Sequence, residues 1–125
     1  MKLIKLEVYT DSDREKTKTI VLNPNLISSA ALHPHEKKPE VVLSDYQTSF
    51  FLTPDGVKTL LGLKNAFVQL LIWENDEKLT KLAFLVNPNH IAYLDVVNGF
   101  DKLFLMNGDA IVLTDEAVSQ VMKHV

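Results

Sequence analysis

Residues 21–25 read VLNPN and residues 85–89 read LVNPN. In both places an apolar run leads into Asn-Pro-Asn. Proline has no amide hydrogen and is kept out of central strands, and it drives the residue before it away from the helical region. An asparagine side chain accepts from the backbone amide two residues on, closing an Asx-turn. Asn23, Pro24 and Asn25, and again Asn87, Pro88 and Asn89, therefore read as structural turns that redirect the chain from one strand into the next.

The recurrence extends outward from these turns. A shift of 64 residues lays LIKLEVY at 3–9 over FVQLLIW at 67–73, and without a gap carries Asn23, Pro24, Asn25 and Ile27 onto Asn87, Pro88, Asn89 and Ile91. Further along the shift is 61, placing FFLT at 50–53 over IVLT at 111–114 and Val57 over Val118. Two unrelated meanders would share alternation but not the turn, so the chain is read as an internal repeat, with repeat one at 1–62 and repeat two at 65–125.

Each repeat reads as strands followed by a short helix. The expected strands are 2–9, 17–22, 26–32 and 41–52 in the first and 67–73, 79–86, 91–97 and 102–113 in the second, bounded by turn clusters such as TDSD, HPHEKKP, ENDE and VNGF. Helices are expected at 54–61 and 115–124. Thr53 precedes a proline suited to the first helical position, and Thr114 precedes the acid pair Asp115-Glu116, which suits the positive end of a helix dipole. The fold class expected is α+β, mostly β: two ββββα-like repeats packed about a pseudo-twofold axis as a single domain. A lone copy of about 60 residues would bury too little surface to stand by itself.

Composition narrows the function. The chain is 46% hydrophobic and 23% charged, with net charge −3, so it has a globular make-up and no overall field that gathers nucleic acid or anionic lipid. Arg14 is the single arginine, which removes most bidentate phosphate or guanine contacts. There is no cysteine, hence no disulfide, thiolate site or thiol nucleophile. MKLIKLEVYT is not expected to act as a leader, because Lys5 and Glu7 interrupt its apolar pieces. No apolar run reaches the length of about 18 residues that a spanning helix needs.

The segment LVNPNHIAYLDVVNGFDKLFLMNGDAIVLTDEAVSQVMKHV resembles the small flagellar-operon family FlbD or SwrD. The matching positions are Val86-Asn87-Pro88, Ile91, Leu103 to Met106 with Asn107-Gly108, and Asp115-Glu116-Ala117-Val118. The first copy shows the same pattern at Asn23-Pro24 and Ile27 but lacks the turn glycine. The second half is also similar, more loosely, to the C-terminal part of LytTR DNA-binding domains, where a valine-asparagine pair precedes an isoleucine strand. Such domains direct basic residues at phosphates from just before that strand. Here residues 82–86 are apolar, leaving Lys78 and Lys81 nearby. Neither resemblance brings a catalytic residue with it.

No constellation for chemistry stands out. His33, His35 and Glu36 form the densest group of metal-ligating side chains, but Lys37-Lys38 opposes a cation, and exposed loop histidines account for them. The serines lie in no nucleophile elbow, the acids cluster in turns, and there is no glycine-rich phosphate loop. Neither an enzyme nor a cofactor or metal site is expected. Tyr46, His90, Tyr93 and Phe100 are candidate partner contacts, lying at or near loops. The expected function is a non-catalytic cytoplasmic protein-interaction or regulatory module, self-associating as a homodimer or binding a protein partner, away from membranes. The alternative is a nucleic-acid-binding transcriptional regulator of LytTR-like type, kept open by a locally basic first half at Lys16, Lys18, Lys37, Lys38, Lys58 and Lys64.

Overall fold

The computed structural model of the protein describes residues 3–10, 16–32, 39–45, 47–63, 66–73, 78 and 80–124. The first half comprises β1 (Ile4–Tyr9), β2 (Thr17–Leu22), β3 (Ile27–Leu32), β4 (Glu40–Leu43), β5 (Ser49–Phe51) and helix α1 (Pro54–Leu61). The second comprises β6 (Val68–Trp73), β7 (Lys81–Val86), β8 (Ile91–Val97), β9 (Phe100–Leu105), β10 (Ala110–Leu113) and α2 (Asp115–Met122). The class is α+β and mostly β, as expected. The stretches 41–52 and 102–113 each fold into two strands rather than one. Asp45 Oδ1 accepts from the amides of Gln47 (3.0 Å) and Thr48 (2.8 Å), and Asn107 Oδ1 accepts from Asp109 N (2.9 Å), so polar side chains fold both midpoints into turns.

β1 and β2 form a two-stranded antiparallel ribbon, and the other strands form one sheet in the order β5-β4-β3-β7-β6-β10-β9-β8. The two Asn-Pro-Asn turns take the same form. Asn23 (φ −83°, ψ 111°) and Asn87 (φ −76°, ψ 116°) are extended, each side chain accepts at 3.0 Å from the amide two residues on, and each starts a 3₁₀ turn. The strand after each turn carries an irregularity at the same place, between Ile27 and Ser29 in β3 and between Ile91 and Tyr93 in β8.

The helix caps repeat as well. Thr53 Oγ1 accepts from Gly56 N (3.1 Å) and donates to Glu7 O (3.3 Å), while Thr114 Oγ1 accepts from Ala117 N (3.2 Å) and donates to Leu71 O (2.6 Å). Each cap hydroxyl thus starts its helix and ties it to the first strand of its own half. The sequence marks the cap but not the tie.

Two cores result. One gathers residues such as Leu6, Val8, Ile27, Val41, Leu52 and Leu60, and the other Leu70, Phe84, Val86, Leu103, Leu113 and Ala117. β7 serves both: Leu82, Phe84 and Val86 face the second core, whereas Leu85 faces the first. Asn87 fastens this junction, donating from Nδ2 to Ile27 O (3.0 Å) and Asn25 O (3.3 Å) and from its backbone amide to Ser28 O (2.9 Å). No helix among the described residues is long and apolar enough to cross a membrane.

Candidate nucleic-acid interface

In the second half the strand alternation sorts apolar residues inward and leaves a different set outside. On β6, Val68, Leu70 and Ile72 enter the core, which puts Gln69, Leu71 and Trp73 on the opposite face. On β9, Leu103 and Leu105 enter, leaving Phe100, Lys102 and Phe104 outside. The antiparallel register then sets Lys81 opposite Trp73, Trp73 opposite Val112, Val112 opposite Lys102 and Lys102 opposite Asp95. Residues opposite one another share a face, so these form a transverse row across five strands.

Cations and rings interleave on this face. Lys81 Nζ lies 5.1 Å from the Trp73 ring centre, and Lys78 Nζ and Lys102 Nζ lie 5.0 Å and 6.0 Å from that of Phe100. Each lysine is within reach of the negative face of an aromatic ring, which draws the cation to it and lays its stem along the face. Tyr93 stacks on Phe104 at 4.5 Å with an interplanar angle of 15°. Phe100 is brought round by the hairpin at Asn98 (φ 53°) and Gly99 (φ 82°), whose positive φ at both centres is the type I′ geometry of tight hairpins.

Of the residues singled out in the sequence, Tyr93 and Phe100 lie on this face. His90 lies at the other end of β8, in the 3₁₀ turn, where its amide donates to Asn87 O and its carbonyl accepts from Met106 N, both at 2.9 Å. Tyr46, His33 and His35 lie outside the described residues. Lys102, Lys81 and Trp73 were not singled out together. The signal that could have found them is that each alternates with core residues on a strand, so that its side chain must emerge on the outer face.

Elsewhere, a cleft of about 340 Å³ opens between β6 and the start of α2, lined by Gln69, Leu71, Ala83, Glu116 and Gln120 among others. Among the described residues that line it, Glu116 is the one titratable group. Among the described residues no three His, Asp or Glu side chains are grouped to hold a metal. Asp45 is held below the ordinary carboxylate range by hydrogen bonds from the Thr48 hydroxyl and backbone, which serves the β4–β5 turn.

No family model matches the chain, and no curated protein matches it. Among solved structures, a LytTr DNA-binding domain from Bacillus cereus aligns with a TM-score of 0.58 over 98% of this chain and 95% of that one, at 16% identity. This likeness overturns the expected protein-interaction module, because the architecture is shared from end to end with a domain described as DNA-binding; it favours the alternative reading. It also supports the LytTR resemblance over the FlbD or SwrD one, and the protein has the fold of a LytTr domain.

Proposed function

We propose that the protein is a nucleic-acid-binding regulator and that it contacts its ligand through the outer face of the second-half sheet. The observation that carries this reading is the row Lys81–Trp73–Val112–Lys102, flanked by Lys78 and Phe100. The fold shared with a LytTr DNA-binding domain supports it. Lysine offers phosphates a point charge rather than a bidentate fork, so these contacts position the chain on a backbone more than they read bases. Half-exposed rings beside them add stacking surface for an unpaired base.

The test is anisotropy of labelled duplex and single-stranded DNA over a salt series. Three phosphate contacts give a slope of about −2 to −3 in log affinity against log salt. The variant K81E/K102E is expected to abolish binding, while K58E, on helix α1, leaves it within about twofold, as expected for a charge outside the contact face. Unchanged affinity in K81E/K102E, or no binding at low salt, overturns the assignment.

We also read the two halves, 1–62 and 65–125, as a doubled ancestral unit within a single domain. Matching turns, strand irregularities and cap ties support this.

A further inference from the structure

The junction between β3 and β7 occurs once in the chain, yet each half owns a strand of each kind. β2 stands in the first half where β7 stands in the second: each pairs with the first strand of its half and runs into Asn-Pro-Asn. β8 likewise stands where β3 stands, following the turn and carrying the same irregularity. β3 and β7 are joined to each other, whereas among the described residues β8 is the terminal strand of its sheet and β2 pairs only with β1.

What the junction covers in one place is bare in the other. Leu85 of β7 is 4% exposed, while Val21, its counterpart in β2, is 63% exposed. Leu32 of β3 is 9% exposed, while Val96, its counterpart in β8, is 64% exposed. Asn87 Nδ2 bonds two carbonyls across the junction. Asn23 accepts from Asn25 N in the same way, but its Nδ2 has no acceptor among the described residues.

We infer that a second copy of this chain docks here, β8 of one copy pairing antiparallel with β2 of the next in the register of β3 with β7. The internal register sets Ala30 opposite Leu85 and Leu32 opposite Ala83. Transferred, it sets Leu94 opposite Val21 and Val96 opposite Thr19, and it offers Asn23 Nδ2 the carbonyls of Asn89 and Ile91. The sizes compensate: where Phe84 meets Ala31 inside the chain, Ile20 meets Asp95 between copies. Lys18 then lies diagonal to Asp95, pairing opposite charges across the contact. The two surfaces differ, so the assembly is head-to-tail and does not close as a symmetric dimer. Asp95 Oδ1 now accepts from Val96 N at 2.8 Å, occupying an edge amide that docking must free, so the association is reversible. The inference does not rest on the nucleic-acid reading and is tested without nucleic acid.

The test is sedimentation velocity of the full chain over rising concentration, with V21K and V96K, whose exposed sites let circular dichroism and melting confirm the fold. The wild type is expected to grow past a dimer. Each variant alone, having lost one of the two edges and kept the other, stays a monomer. Mixed in equal amounts, the two variants form a one-to-one pair that grows no further, because each retains the edge the other has lost. A wild type that remains monomeric to its solubility limit, variants that assemble like the wild type, or a mixture that does not pair would each overturn the inference.

Discussion

The two halves use the same turns, the same cap ties and the same irregular strand, yet differ in what they show to solvent. The row Lys81–Trp73–Val112–Lys102 has its counterpart in Thr17, Tyr9, Phe51 and Glu40, where an acid replaces one lysine and a threonine the other. Framework positions are held alike because each is fastened by backbone bonds that only certain side chains can make. Outer-face positions differ in residue type between the halves and so answer to no such shared requirement. The comparison teaches that structure is carried by what the halves share, and the proposed binding by what they do not.

The largest test asks whether two cores mean two folding units. Leu52→Ala in one core and Leu103→Ala in the other should each lower stability by about 2–5 kcal/mol. Because β7 contributes to both cores, each variant should still unfold in one transition by denaturant titration. Two separate transitions would break the comparison into independent pieces.

A smaller effect separates the helices. Gly56 and Ala117 hold the same place, each the amide donor to its cap threonine, but a Cβ on Gly56 would lie 2.3 Å from Glu7 O. Gly56→Ala should destabilise by about 1–3 kcal/mol through overpacking. Ala117→Gly should cost about 1–2 kcal/mol, through backbone entropy and the loss of a buried methyl. Thermal melts of the pair would show whether α1 does sit closer to its sheet than α2.

The smallest difference concerns the turns. Asn87→Ala removes bonds to Asn89 N, Asn25 O and Ile27 O and should cost about 1–3 kcal/mol, because buried carbonyls lose their donor. Asn23→Ala removes the local bond and should cost about 1 kcal/mol or less in the monomer. Equal losses would mean that Asn87 does not act across the junction.

Local devices were legible in the sequence because their partners lie within three residues: the Asx-turns at Asn23 and Asn87, the caps at Thr53 and Thr114, and the Asn-Gly hairpin. Partners far along the chain were not. Asn87 reads as a turn residue, and nothing nearby reveals that its amide also clasps the first half. The split of 41–52 was signalled by its polar middle, SDYQTS, but its apolar ends masked it. On the proposed interface, Tyr93 and Phe100 could be picked out singly. Lys81 and Lys102 meet only through the register of the intervening β6 and β10, which a one-dimensional pattern does not encode. The function first expected rested in part on net charge, which averages over the whole chain and carries no trace of how Lys78, Lys81 and Lys102 are set among the rings of one face.

The clasp at Asn87 spans 62 positions to Asn25 and 60 to Ile27. Contacts so distant in sequence carry a large loop-closure entropy and form late in folding. On the ribosome, the first half therefore emerges with β3 still waiting for its neighbour, its small and apolar residues and unmet carbonyls turned outward. The growing polypeptide is most open to mispairing with another nascent chain in that interval, which closes only when β7 has been synthesised.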